Sequence, residues 1–114
     1  MYYKLLSRCT NLKRVYIPET VEKIDPDAFE GCTSLSVINI PKHIKRISAL
    51  AFQDCLNLSA IELPDNLEEI CEYAFFNCQN LKQINIPDSV NFIGLHAFAG
   101  CDLSDIQISE KKLR

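Results

Sequence analysis

Apolar positions return along this chain at a fixed interval of 23 residues. The clearest marker is an alanine–phenylalanine pair, found at Ala28-Phe29, Ala51-Phe52, Ala74-Phe75 and Ala97-Phe98. Proline recurs at the same interval, at Pro18, Pro41, Pro64 and Pro87. A unit of this length cannot bury its own apolar face and must stack on its neighbours, so the repeat decides the fold.

The residues before each proline alternate between apolar and polar. In LSVINIP, which ends at Pro41, Ile38 and Ile40 face one way while Val37 and Asn39 face the other. Such alternation predicts a short strand, and proline closes it because proline cannot donate a ladder hydrogen bond. The run IKRI that follows places aliphatic residues around two charged ones and predicts a second short strand or an extended bend.

A turn-forming segment then leads into each alanine–phenylalanine pair. Asp25 is a favoured helix N-cap, Pro26 occupies the favoured first helical position, and Gly31 stands where a helix C-terminus is expected. The segment PDAFEGC therefore predicts a short helix of one or two turns. Together these elements predict a right-handed α/β solenoid with about one strand, turn and short helix in each repeat. Residues 1–114 are predicted to form one domain, with about four full repeats and partial repeats at the ends.

The consensus LxxIxIPxxVxxIxxxAFxxCxx, from about Leu5 to Ile108, resembles the BspA-like class of leucine-rich repeats. Ordinary leucine-rich repeats differ, because they carry asparagine where this class has proline. The resemblance implies a parallel sheet on the concave face and short helices or turns on the convex face. It also implies protein recognition, since members are often surface proteins of bacteria and some protists linked to adhesion. The family has no catalytic motif to carry over.

Composition narrows the function classes further. The formal net charge of −3 gives no basic face for nucleic acid. No apolar run approaches the ~20 residues of a membrane span, so membrane insertion is not predicted. The start of the chain lacks the features of a signal peptide. Family resemblance therefore favours the cell surface or secretion, and the missing signal peptide keeps a cytoplasmic location as the alternative.

Five of the six cysteines follow the repeat and are predicted to pack in the core. They are Cys9, Cys32, Cys55, Cys78 and Cys101. Stacked equivalents about 4.8 Å apart would lie close enough for disulfides on distance alone, but they make no zinc tetrahedron. Buried free cysteine behaves as a small hydrophobe. Cys71 breaks the series, and the sequence leaves open whether it is a reactive thiol or an ordinary substitution.

A candidate protein-binding face comprises the outward residues of the strand before each proline. These are Arg14, Tyr16, Val37, Asn39, Glu62, Gln83, Asn85 and Gln107. The packing pattern leaves such residues free to vary, and tyrosine and amide side chains are common in recognition surfaces. The alternative is a solvated sheet face without a partner. His43 and His96 occupy different repeat positions and are predicted to lie apart on the surface.

The sequence thus predicts a non-enzymatic protein–protein interaction module without a cofactor or a metal. The partner implied by resemblance is a protein on a host or neighbouring cell, and self-association through open solenoid ends is a further expectation. The alternative is a small intracellular regulator or inhibitor that occupies a protein partner. A thiol-dependent or metal-dependent enzyme would need a reactive Cys71 or a bound metal ion.

Overall fold

The computed structural model describes residues 6–103. This part of the chain forms seven strands of two residues each, joined by turns. They are β1 Arg14–Val15, β2 Val37–Ile38, β3 Arg46–Ile47, β4 Ala60–Ile61, β5 Glu69–Ile70, β6 Gln83–Ile84 and β7 Phe92–Ile93. Each coil of the solenoid contributes one strand before its proline, and coils two to four contribute another after it.

Every strand pairs in parallel with at least one equivalent strand one repeat away, although β2 and β4 do not pair with each other. Before the prolines, β1 pairs with β2 and β4 pairs with β6, with Arg14 opposite Val37. After the prolines, β3, β5 and β7 form one sheet in which Arg46, Glu69 and Phe92 stand side by side. This confirms the predicted parallel sheets and the register of 23 residues. The right-handed sense of the coil stays a prediction.

A stack of phenylalanine rings runs through the core. Phe29, Phe52, Phe75 and Phe98 lie face to face, with successive ring centroids 5.4, 5.3 and 5.4 Å apart. The first three are fully buried and Phe98 is 8% exposed. Aliphatic residues of the repeat surround these rings, most of them buried, so one apolar core continues from coil to coil.

The repeated cysteines pack against this stack. Cys32, Cys55 and Cys78 are buried free thiols. Cys55 donates its thiol proton to the carbonyl of Phe29 at 3.2 Å, and Cys78 donates to that of Phe52 at 3.0 Å. Burial raises the pKa of the Cys55 thiol, which keeps it protonated and able to donate. The packing role predicted for the cysteine column is confirmed for these three, and Cys9 and Cys101 lie half-buried against the same core.

The predicted short helix is wrong, because the segment forms hydrogen-bonded turns. Among residues 6–103 no α-helix is present. Ala28, Glu30 and Cys32 donate their N–H groups three residues back, to Asp25, Asp27 and Phe29. The N–H groups that alternate with these donate across to the next coil instead, as from Asp27 to Ala49 and from Phe29 to Ala51.

Left-handed residues explain why the turns do not become a helix. Asp27, Leu50, Tyr73 and His96 hold the same place in successive coils and have φ of 64°, 62°, 57° and 55°. A left-handed residue interrupts a right-handed helix. The conformation turns alternate N–H groups towards the next coil, where they find carbonyl partners. Hydrogen bonding between coils therefore replaces hydrogen bonding within a helix.

Candidate protein-binding face

The strand face is defined here by two columns of outward residues before the prolines. The strand column contains Arg14, Val37, Ala60 and Gln83, and all four are exposed. The pre-proline column, two residues before each proline, contains Tyr16, Asn39, Glu62 and Asn85. Tyr16 is 72% exposed and Val37 is 51% exposed. Gln107 lies outside the described residues.

The two asparagines of the pre-proline column bind the coil before them. The Asn39 side-chain Oδ1 accepts from the N–H of Ile17 at 2.7 Å, and its Nδ2 donates to the carbonyl of Ile17 at 2.9 Å. Asn85 makes the same two bonds to Leu63, at 2.9 and 3.1 Å. The expectation that packing leaves these two positions free to vary is therefore wrong. Sequence reasoning missed this role, although the recurrence of asparagine two residues before proline was its visible signal.

Replacing Asn39 by alanine should consequently destabilise the fold. Each lost hydrogen bond in a partly buried setting costs about 0.5–1.5 kcal/mol, so Asn39→Ala should cost about 1–2 kcal/mol. Urea unfolding followed by circular dichroism measures the change. Asn57→Ala, at an exposed position, is the matched control and should change stability little. Equal unfolding midpoints for the two variants would contradict the structural role.

Glu62 interrupts the series of amide bridges. It stands between Asn39 and Asn85 in the pre-proline column, where an asparagine would bond to the backbone of Ile40. An ionised carboxylate accepts hydrogen bonds but has no proton to donate, so it cannot make the amide's pair of bonds. Among the described residues, no hydrogen bond joins Glu62 to Ile40. Strands β2 and β4, which flank this point, are also unpaired with each other, unlike β1–β2 and β4–β6.

A shallow groove opens at this interruption. Asn39, Ile40, Lys42, Glu62, Pro64 and Asp65 line it. A second depression continues from Glu62 across the strand column to Val37, Ala60 and Gln83. The groove thus carries one ammonium and two carboxylates beside exposed apolar surface. Charged groups beside an apolar strip can orient a protein segment while the strip buries apolar area.

A second outward surface follows the strands after the prolines and is called the charged band. Its first column is Glu22, Lys45, Glu68 and Asn91, and its second column is Lys23, Arg46, Glu69 and Phe92. Arg46 lies opposite Glu69, and its Nε donates to Oε1 of Glu69 at 2.9 Å. A basic pair and an acidic pair therefore lie side by side on neighbouring coils. Exposed pairs of this kind contribute only ~0–1 kcal/mol, which suits a role in register.

Chemically reactive side chains do not gather on either surface. Nε2 of His43 is hydrogen-bonded to the carbonyl oxygen of Val21 at 2.6 Å. His96 instead packs against the ring of Tyr73 on the turn side. Burial raises the pKa of the half-buried Cys71 thiol, and nearby Arg46 offsets this only in part, so the thiolate that nucleophilic catalysis needs is disfavoured. Within residues 6–103, no group of three or more histidine, cysteine, aspartate or glutamate side chains could hold a metal ion.

Comparison with known families agrees with this geometry. The family model described as "BspA type Leucine rich repeat region" matches residues 1–114, with six copies. The chain belongs to this family. Its fold is generally a non-enzymatic protein-interaction fold, and the chain is accordingly a protein-interaction module.

Solved structures of leucine-rich repeat proteins from several bacteria are similar. One from Bacteroides ovatus is 31% identical with a TM-score of 0.84, and the match covers 89% of this chain and 27% of that one. One from T. pallidum is 36% identical with a TM-score of 0.81, over 84% and 45% of the two chains. A leucine-rich cell surface protein from Faecalibacterium prausnitzii is 33% identical with a TM-score of 0.77, over 79% and 24%.

This chain therefore spans less than half of each of these structures. No curated protein matches it. No helix among residues 6–103 is long and apolar enough to cross a lipid bilayer.

Proposed function

We propose that this chain is a recognition segment of a cell-surface adhesion protein and that its strand face binds a protein on a host or neighbouring cell. The observation that carries the proposal is Glu62. Asparagines of the pre-proline column form hydrogen bonds to the backbone of the preceding coil, and Glu62 lacks this pair of bonds in the middle of the strand face. An exposed residue that lowers stability compared with its repeat equivalents is typical of a position that serves binding.

Rigid neighbours make Glu62 a useful recognition group. Asn39 and Asn85 fix the backbone on either side of it, and Tyr16 presents a ring at the start of the same column. Side chains held on a rigid scaffold lose little conformational entropy on binding, which leaves more of the contact energy for affinity. Resemblance to a leucine-rich cell surface protein supports the surface location and an extracellular partner.

Binding to a panel of immobilised extracellular-matrix proteins tests this function. The double variant Tyr16→Ala/Glu62→Ala should lose capture of any matrix protein that the unmodified chain retains. The matched control is Leu95→Ala/Glu72→Ala, which removes one large exposed hydrophobe and one exposed carboxylate from the turn side. Capture that survives the strand-face variant but fails in the control would move the site to the turns. Absence of any capture would count against adhesion.

Restoring the amide bridge at Glu62 should stabilise the chain. In Glu62→Asn the side chain can accept from the N–H of Ile40 and donate to its carbonyl, as Asn39 does with Ile17. Two such bonds should raise the free energy of unfolding by about 1 kcal/mol. Glu62→Gln is the control, because it removes the same charge but carries its amide one methylene further out. If urea unfolding gives both variants the same stability, the bridge does not form and the interruption has another cause.

A further inference from the structure

The charged band carries an order of charges that the fold does not require. Read from the first coil to the fourth, its second column runs positive, positive, negative, aromatic, through Lys23, Arg46, Glu69 and Phe92. Its first column runs negative, positive, negative, neutral, through Glu22, Lys45, Glu68 and Asn91. Six of these side chains are exposed, and Glu69 and Phe92 are half-buried. Arg46 and Glu69 form an ion pair with each other within one chain.

The charges of each column are complementary to those of the same column read in the opposite direction. Two copies of a surface that face each other about a two-fold axis make an isologous contact, in which residue i meets residue j and j meets i. If that axis lies along the strands, between the coils of Arg46 and Glu69, each column meets itself in the opposite direction. Arg46 then faces Glu69 of the second copy, and Lys45 faces Glu68 of the second copy, each pair occurring twice. We propose that two copies of this chain associate in this way, as a two-fold symmetric dimer with antiparallel solenoid axes.

The ends of the columns fit the same arrangement. Lys23 faces the ring of Phe92 of the second copy, where an ammonium over an aromatic face is attractive. Glu22 faces Asn91 of the second copy, whose amide can donate to a carboxylate. Arg46 can bind Glu69 of its own chain and Glu69 of the second copy at once, because its guanidinium has five N–H donors. Its Nε binds Glu69 within the chain. Its side chain is 57% exposed, so the remaining donors can be reached.

Other arrangements bring like charges together. An axis along the solenoid would set the first column against the second, placing Lys45 on Arg46 and Glu68 on Glu69. Shifting the antiparallel arrangement by one coil in one direction places Lys45 opposite Lys45 of the second copy. A shift by one coil in the other direction places Glu68 opposite Glu68 of the second copy. Like charges that meet across an interface disfavour association, so the charge order selects one axis and one register.

The band is small, which sets the expected strength of the dimer. It offers eight side chains, whereas a standard interface uses about 20–30 residues on each side. The contact also depends on exposed charges, which salt screens. The dimer should therefore be weak, reversible and sensitive to ionic strength. It should also be closed, because a two-fold contact uses up the surface that makes it.

Sedimentation equilibrium of residues 1–114 at about 0.01 M and about 1 M salt tests these properties, since the Debye length falls from about 30 Å to about 3 Å between them. We expect a monomer–dimer equilibrium with no larger species, and a dissociation constant at least about tenfold higher at high salt. Only monomer at both salt concentrations would overturn the proposal. Species that grow beyond the dimer would also overturn it, because a closed two-fold contact cannot produce them.

Two single charge reversals make the test specific. Lys45→Glu places two carboxylates against each other at both symmetric positions, and Glu68→Lys places two ammonium groups there. Each variant alone should be monomeric, but an equal mixture should form a heterodimer, because both carboxylates of the first variant then meet ammonium groups of the second. The control is Lys82→Glu, an equal change of charge at an exposed residue outside the band, and it should dimerise like the unmodified chain.

Circular dichroism confirms that each variant is folded before it is compared. If the mixture remains monomeric while both variants are folded, the antiparallel register is wrong. If Lys82→Glu abolishes association as fully as Lys45→Glu does, net charge controls association and the charged band does not.

Discussion

Phe52→Ala should destabilise this protein more than any other single substitution argued above. Phe52 is fully buried between Phe29 and Phe75, with ring centroids 5.4 and 5.3 Å away and interplanar angles of 9° and 5°. Truncation removes buried apolar surface and also leaves a cavity between two rigid coils. Phenylalanine-to-alanine changes in cores cost about 3–5 kcal/mol, a large share of the ~5–15 kcal/mol that stabilises a typical domain.

Urea unfolding followed by circular dichroism measures this loss. Tyr16→Ala is the matched control, because it also truncates an aromatic residue to alanine but at a side chain that is 72% exposed. Its stability should remain within about 0.5 kcal/mol of that of the unmodified chain. Similar losses in the two variants would mean that the phenylalanine stack is not the centre of the core.

The position of Phe52 could be predicted from the sequence, and so could the cysteine column, since repetition itself reports burial. A side chain that recurs at one place in stacked units must meet its own equivalent, and only apolar groups tolerate this in the interior. The register of 23 residues followed from the same argument, whereas the parallel sheet was implied by the family resemblance. These parts of the fold required no knowledge of individual contacts.

The turns could not be predicted, because two physical signals compete there. Asp25 and Pro26 favour a helix start within one unit. The N–H groups of Asp27 and Phe29 nevertheless find carbonyls in the next coil. A local pattern does not show that a neighbouring coil offers these partners. It also does not show that residues such as Leu50 adopt positive φ to reach them.

The candidate site was predicted in outline only. Outward alternation identified the strand face and its exposed residues Tyr16 and Val37. It could not separate Asn39, which binds the preceding coil, from Glu62, which does not, because both are polar residues at one repeat position. The difference depends on whether a side chain has both a donor and an acceptor within reach of a backbone. Such a property appears only when the coils are placed side by side.

Gly94→Ala should also destabilise the chain, despite the usual gain from replacing glycine. Replacing a flexible glycine stabilises by about 0.4–1 kcal/mol when the new side chain fits. Here a Cβ atom would come within 2.5 Å of the backbone nitrogen of Glu72 and 2.9 Å of the carbonyl carbon of Cys71. Backbone cannot move aside as a side-chain tip can, so the overpacking cost of about 1–3 kcal/mol should exceed the gain.

The earlier coils supply the control for this substitution. Asp25, Ser48 and Cys71 occupy the position equivalent to Gly94 and all carry a Cβ atom, so Cys71→Ala introduces no new contact. Urea unfolding should show Gly94→Ala to be the less stable of the two. The N–H of Gly94 donates to the carbonyl of Ile70 at 2.8 Å, and pushing the coils apart would lengthen this bond as well. A Gly94→Ala variant more stable than the unmodified chain would mean that the last two coils stand further apart than the structure places them.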